Sequence, residues 1–462
     1  MRSGPLSTWT DARVAVVGLA RSGVAACLFL KKRGAKVVGT DLRTTEELGG
    51  IPSDLAASGV ELSIGAYPNF AGFDVLVLSP GVDPAQDAIR RARDAGATLL
   101  PELELGACAV KGRIVCITGT KGKSTTTMSL HAMLREAGLD ARAVGNIGSP
   151  ITAHVDDSDE QSIFVIEASS FQLETTLSFR PHFAVFLNLF PDHLDRHPTF
   201  GAYAAAKARI FANQTESDTA IVNGEDPAVL GLAKGTRAHV IPFRPRTLPA
   251  PGSETPVAYL QGGDAFLLDP QKVELFRSGD IQIPGAAVRA NFLAAATTAH
   301  RLGVGSDSIR SALRSFRGVP HTFERLGEID GVAFFNDSKA TTPESVSVAL
   351  ESFDTPVIAI MGGRLKAGSF ASLKETTARH TRAIFAIGES RELIIEALSS
   401  ACPVTPAESL EEAVRAAYRL ARPGDTILLS PGCSSFDMFH DYAERGDVFR
   451  RAFQDLRLRG AA

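Results

Sequence analysis

The 462 residues include 48 basic and 52 acidic side chains, a net charge of −4, and 44% apolar residues. That is ordinary for a globular protein, in a chain too long for one core. Without a basic stripe or polybasic run, neither a nucleic-acid nor a membrane partner is expected.

The five cysteines (Cys27, Cys108, Cys116, Cys402, Cys433) are scattered without metal-type spacing, which points to a reducing compartment. The stretch 1–11 lacks the apolar run of a leader, and each later apolar run is interrupted before ~18 residues. A cytoplasmic location is expected.

Short β-branched runs alternate with helical stretches, the pattern of parallel α/β layers. In the first block, 14–17 reads as a strand and 22–33 as a helix. Further strands at 36–39 and 74–78 close on Asp41 and on Ser79-Pro80-Gly81. The turn Gly18-Leu19-Ala20-Arg21-Ser22-Gly23, with Asp41 after the next strand, has the outline of a dinucleotide fingerprint. Ala20 fills the middle glycine position, so another nucleotide, a nicotinamide cofactor and a structural turn all remain open.

The second block opens with a strand at 113–118, then Gly119-Thr120-Lys121-Gly122-Lys123-Ser124-Thr125 and a helix to about residue 137. Glycines let successive N–H groups face phosphate oxygens at a helix N-terminus. Lys123 is then placed for the β/γ-phosphates, and Ser124 or Thr125 for Mg²⁺. The strict P-loop spacing is not met, because Ile117 stands where its first glycine belongs.

Strands at 163–167 and 184–188 follow. The first ends on Glu167; the second runs into Asn188-Leu189-Phe190-Pro191-Asp192-His193-Leu194-Asp195. Ligands of parallel sheets gather at the carboxyl ends of strands, so Glu167 and His193 are expected in the crevice of the phosphate loop. The competing readings are a solvated loop carboxylate and a structural histidine. Lys207, on a helix beginning near Phe200, reads by itself as a surface residue. The polar stretch 244–280 suggests a β-rich insertion, followed by an alanine-rich helix at 291–302. The third block has strands at 332–335, 357–360, 383–387 and 426–429, as in a doubly wound sheet. Boundaries fall near 104 and 317, giving segments 1–103, 104–317 and 318–462.

Taken together, these motifs resemble the Mur ligase family, which builds the peptide stem of peptidoglycan. The run Glu167-Ala168-Ser169-Ser170-Phe171-Gln172-Leu173 resembles its D-glutamate-adding branch. Further matches are Gly145-Asn146-Ile147-Gly148, Asp192-His193-Leu194-Asp195, Asn336-Asp337-Ser338-Lys339-Ala340-Thr341 and Ser430-Pro431-Gly432-Cys433-Ser434-Ser435-Phe436-Asp437. They keep the family's order across nearly the whole chain.

The resemblance implies three α/β domains: Rossmann-like and UDP-sugar-binding, then P-loop-type and ATP-binding with a mainly parallel sheet, then Rossmann-like again. It implies ATP and two Mg²⁺ ions, UDP-N-acetylmuramoyl-L-alanine and glutamate as substrates, and a monomer. Arg21, Ser22, Asp41, Arg43, Gly81 and Asn146 would meet the UDP-sugar. The loop from Gly119 to Thr125, with Asn291 and Asp337, would meet ATP. Ser124 or Thr125 with Glu167 would hold one Mg²⁺, and His193 a second, bridged by Lys207 if carbamylated. For His193 a general base is the lesser alternative. Lys123 and Lys339 would neutralise charge on the transferring phosphoryl group. Thr341, Lys366, Ser435, Phe436 and Tyr442 would surround the incoming amino acid.

The chain departs from the family at Lys121, where Asn is usual, and at Val288, where His-Asn-x-x-Asn is frequent. It departs again at Thr322, where Arg follows Gly-Val-Pro-His; Arg289 and Arg325 are the candidates to compensate. A sister amide ligase using L-glutamate or another amino acid, a folate-glutamate ligase and a non-catalytic nucleotide-binding protein are the competing functions. The folate enzyme generally lacks such an N-terminal domain. Movement of the C-terminal domain about residues 317–318 is also expected, because an acyl phosphate must be kept from water.

Overall fold

The computed structural model describes residues 9–250, 252, 255–366 and 368–460. The leader reading of 1–11 falls, for residues 1–8, outside that range. By packing, the chain divides into two compact units. One is Met1–Ser278 with Ala290–Ala312; the other is Gly279–Arg289 with Leu313–Ala462.

The first unit contains two sheets. The smaller is all parallel, in the spatial order Glu61–Ile64, Lys36–Asp41, Arg13–Val17, Val75–Leu78, Thr98–Pro101. The chain builds outward from Arg13–Val17 on one side and then returns on the other. A crevice opens where the order reverses, at the carboxyl ends of Arg13–Val17 and Val75–Leu78. These central strands are buried on both faces, which explains their unbroken apolar sequence.

The larger sheet has nine strands. Within it Arg113–Thr118 lies between Ile163–Glu167 and Phe183–Phe186, with Ile117 level with Glu167 and Thr118 level with Phe186. The polar stretch does form strands: Val257–Gln261, Asp264–Leu268 and Lys272–Phe276 extend this sheet as its antiparallel edge.

Within this unit the helix Glu102–Ala109 fastens one layer to the next through two buried carboxylates. Glu102 accepts from Thr152 N–H (2.8 Å) and Oγ1–H (2.6 Å). Glu104 accepts from the N–H groups of Leu177 and Ser178 (2.5 Å each). Burial pushes the Glu102 carboxyl up to about 7, against the opposing pull of the Thr152 hydrogen bonds. A raised carboxyl contributes stability that is complete below its unfolded value near 4.5 and is lost as pH rises through about 7. Glu102→Gln is therefore expected to flatten the pH dependence of stability between those values, by about 1–3 kcal/mol. Denaturant titrations at pH 5 and pH 8 measure this directly. Equal slopes for both proteins would show that Glu102 ionises freely in the fold.

The second unit holds one six-stranded sheet, ordered Glu324–Ile329, Val332–Asn336, Thr426–Leu429, Val357–Gly362, Thr381–Ile387, Val404–Pro406. Only the first pair is antiparallel. The long helix Tyr442–Gly460 packs on its antiparallel end.

Candidate active site

The strand Arg113–Thr118 delivers the phosphate loop. Gly122 caps the following helix Lys123–Glu136 at φ 86°, and a Cβ there would stand 2.4 Å from Asn291 Oδ1. Glycine thus permits both the left-handed turn and the approach of Asn291 to the loop. Asn188 clamps the loop from the neighbouring strand end, accepting from Lys121 N–H (2.9 Å) and donating to Lys121 O (3.0 Å). Lys123 Nζ lies back over the loop and donates to the carbonyls of Gly119 (3.1 Å) and Thr120 (3.0 Å). Ser124 and Thr125 are half-buried in the first helical turn. The departing residue, Lys121, is held by Asp192 at 3.2 Å.

Glu167 is 2% exposed, so the solvated-loop reading is excluded. Its Oε1 accepts from Asn146 Nδ2 (2.7 Å), while its Oε2 is buried without a hydrogen-bond partner among the described residues. After Glu167 the chain turns in a capping box: Ser169 Oγ accepts from Gln172 N–H (3.3 Å) and Gln172 Oε1 accepts from Ser169 N–H (3.0 Å). This fixes Phe171, whose ring packs 5.0 Å from His193 and 5.3 Å from His197. His193 is exposed on a left-handed backbone (φ 54°). His197 is buried, with Nε2 3.0 Å from Ser170 Oγ.

Lys207 corrects the surface reading that its sequence context alone suggested: it is 1% exposed. The helix Phe200–Ala208 carries it beneath the phosphate loop, where Nζ donates to Gly119 O (2.9 Å) and lies 4.9 Å from the centre of the Tyr203 ring. Burial, and then the nearby Lys123 charge, push its pKa down to about 7. Tyr203 completes this layer by donating to Thr120 Oγ1 (3.1 Å). Sequence reasoning passed over Tyr203, although its spacing of four from Lys207 places both on one helix face.

The crevice of the smaller sheet is a cavity of about 530 Å³. Arg21, Ser22, Asp41, Arg43, Gly81 and Asn146 all line it, as does Gln172 from the capping box. Gly23 must lack a side chain, since a Cβ would lie 1.8 Å from Gly18 O. Asp41 accepts from Leu19 N–H (2.8 Å) and from Arg43 Nη2 (2.8 Å). Burial pushes its carboxyl up, but these donors outweigh it and hold the group down at about 2. Tyr67 and Gln86, joined at 2.9 Å, are lining residues that no motif announced.

In the second unit, Asp337 accepts from Phe323 N–H (3.0 Å) and Ser430 Oγ (3.2 Å), and burial raises its carboxyl to about 7. Lys339 is exposed two residues on. Lys366 Nζ lies 5.3 Å from the centre of the Phe436 ring; Ser435 is buried, and Tyr442 is exposed at the start of its helix. Thr341 is half-buried. Of the candidate compensating residues, Arg325 pairs with Glu328 (3.0 Å) and Arg289 is half-buried. Thr322 Oγ1 is buried without a partner among the described residues.

Residues 12–100 match the Mur ligase MurD-like N-terminal domain, 117–299 the Mur ligase middle domain and 322–433 the Mur ligase glutamate ligase domain. The UDP-N-acetylmuramoylalanine–D-glutamate ligase of Pelotomaculum thermopropionicum is 40% identical over 457 residues, covering 98% of this chain and 99% of that one. That of Solibacter usitatus is 41% identical over 444 residues, covering 96% and 98%. Among solved structures, UDP-N-acetylmuramate-alanine ligase from Thermotoga maritima superposes with a TM-score of 0.57 at 17% identity, covering 96% of this chain and 99% of that one. MurF ligase from the same organism, in complex with ADP, gives 0.56 at 16%, covering 98% and 97%. The three-domain α/β architecture is that of these enzymes, and the chain belongs to the Mur ligase family.

Proposed function

We propose that this chain joins D-glutamate to UDP-N-acetylmuramoyl-L-alanine, with release of ADP and phosphate, in the synthesis of peptidoglycan precursors. The observation that carries this reading is the ~40% identity, over nearly the full length, to ligases named for that reaction. The segments 1–103, 104–317 and 318–462 take the UDP-sugar, ATP, and the amino acid with part of the nucleotide. The enzyme works as a cytoplasmic monomer on small molecules. Among the described residues no helix is long and apolar enough to cross a membrane.

A carboxylate does not acylate an amine in neutral water, because oxide is a poor leaving group. Transfer of the γ-phosphoryl group of ATP to the alanyl carboxylate gives an acyl phosphate. The glutamate amine attacks its carbonyl carbon, the C–O bond to phosphate breaks, and the amine proton leaves with solvent. The protein therefore aligns its substrates and neutralises charge. The phosphate-loop N–H groups and Lys123 face the nucleotide, with Asn291, Asp337 and Lys339 as further contacts. The cavity lined by Arg21, Ser22, Asp41, Arg43, Gly81 and Asn146 holds the UDP-sugar, and Lys366, Ser435, Phe436, Tyr442 and Thr341 receive glutamate.

Glu167 suits Mg²⁺, since its buried Oε2 is a hard oxygen donor lacking a partner among the described residues. Among those residues no three His, Cys, Asp or Glu side chains form a ready-made metal cluster. Magnesium characteristically shares substrate phosphates instead. Glu167 with Ser124 or Thr125 would hold one ion, and His193 with carbamylated Lys207 a second; bound there, Mg²⁺ neutralises charge on the phosphoryl oxygens. Addition of the neutral Lys207 amine to CO₂ forms an N–C bond, releases a proton and leaves an anionic oxygen ligand.

The deciding experiment follows ADP release with MgATP, UDP-N-acetylmuramoyl-L-alanine and either glutamate isomer. Release that requires the precursor and D-glutamate is the expected result. Release with L-glutamate alone would reassign the substrate to the sister activity. No release with either would remove the ligase reading.

A further inference from the structure

We propose that Arg445 is a positioning residue that couples the nucleotide-facing loop of the C-terminal unit to its glutamate-facing loop. The inference rests on the ligase reading above, which gives those two loops their ligands.

Arg445 is 1% exposed and is the largest fully buried side chain among the described residues. Its guanidinium bridges two strand ends. Nε donates to Ser338 Oγ (3.0 Å), and Nη2 donates both to Ser338 O (2.8 Å) and to Cys433 O (3.1 Å). Ser338 stands between Asp337 and Lys339, and Cys433 stands two residues before Ser435. Ser338 Oγ in turn donates to Tyr442 O (2.8 Å), at the start of the helix that carries Arg445. One planar fork therefore sets the separation of the two loops and fixes both against one helix.

The energetics argue that this geometry has a use. Among the described residues the hydrogen bonds of Arg445 all go to neutral oxygens, and its Nη1 is buried without a hydrogen-bond partner. A guanidinium whose hydrogen bonds all go to neutral acceptors, with the Asp437 carboxylate acting on it only through space, is costly to desolvate. Burial accordingly lowers its pKa to about 10. Lysine would keep the charge but lose the flat, multi-donor fork.

The loops also touch directly. Gly432 N–H donates to Ala340 O (2.9 Å), and Asp337 N–H donates to Leu429 O (2.8 Å). A displacement of Ser338 when nucleotide engages Asp337 and Lys339 is passed by the fork to the Cys433 carbonyl, and so to Ser435 and Phe436. Two ligands that bias one arrangement strengthen each other reciprocally.

The test measures D-glutamate affinity by ligand-observed NMR, with and without saturating MgADP, in the full-length enzyme and in Arg445→Lys and Ser338→Ala. Thermal midpoints are recorded alongside. MgADP is expected to tighten D-glutamate by about tenfold in the parent, a typical coupling. Both variants should lose most of that factor, while D-glutamate still binds in the absence of nucleotide. Ser338→Ala keeps the question answerable if Arg445→Lys does not fold, because it removes the Nε acceptor and the bond to Tyr442 O while leaving the buried guanidinium and its two carbonyl acceptors in place. A folded variant that retains the parent's factor, even with both affinities weakened, makes Arg445 a structural residue and overturns the proposal. So does a parent that shows no coupling. A parent that releases no ADP with D-glutamate removes the ligase reading, and this inference falls with it.

Discussion

Glu167→Gln is expected to slow ADP release by about 10²-fold or more, the scale on which removing one transition-state charge contact acts. The amide keeps the side chain's shape and an oxygen for the Asn146 donor, whose bond to Glu167 Oε1 is 2.7 Å. It loses the negative charge and replaces the unpartnered buried oxygen with an NH₂ group. Two consequences follow. The Mg²⁺ concentration needed for half-maximal rate should rise, and stability should not fall, because a buried carboxylate with one unpartnered oxygen has been replaced by a neutral amide. ADP release titrated against Mg²⁺, with a thermal melt of the same preparation, measures both. A variant with a normal Mg²⁺ requirement would exclude Glu167 as an ion ligand, whatever its rate.

The second large effect is at Lys207, where activity and stability should move in opposite directions. Lys207→Met replaces a fully buried ammonium with an apolar chain of similar length. Turnover should fall by about 10²-fold or more if the residue holds an ion when carbamylated. In CO₂-free buffer the thermal midpoint should rise by about 2–4 °C, the shift that ~1 kcal/mol gives a chain built of such domains.

The pH dependence supplies the sign. A lysine depressed from 10.5 to about 7 contributes stability that is present above 10.5 and is lost as pH falls through 7. The advantage of the methionine variant therefore grows between those values on going down in pH, then stays constant. With ¹³C-bicarbonate, the parent should show a carbamate carbonyl resonance that the variant lacks. A parent without that signal, yet fully active, would refute carbamylation. A midpoint that falls on substitution would mean the Gly119 and Tyr203 contacts outweigh the desolvation cost.

Much of the scaffold was legible because each catalytic-type motif sits at the end of an apolar β run. The strands at 113–118, 163–167 and 426–429 match the observed Arg113–Thr118, Ile163–Glu167 and Thr426–Leu429. Local signals failed where the strand's own sequence argues against it. His239–Arg244 contains Pro242, which lacks an N–H for the ladder, yet the strand pairs fully with Thr219–Asn223 and only through its last two residues on the other side. Thr98–Pro101 and Glu61–Ile64 are four residues each, too short for a period to emerge. The helix Tyr442–Gly460 begins through Arg445-Gly446-Asp447, so neither its start nor the burial of Arg445 follows from composition.

By itself the sequence determined the chemistry that could be offered: a glycine loop that must curl, lysines beside it, a carboxylate closing a strand, and the chain order of these motifs. Those properties depend on backbone freedom and strand polarity, which neighbouring residues impose. Tertiary structure decided the electrostatic state of each group. It desolvated Lys207, left one oxygen of Glu167 without a partner among the described residues, charged Asp41 against Arg43, and closed Arg445 over two loops. Burial arises from elements distant in sequence, and it is burial that sets how strongly a charge is felt.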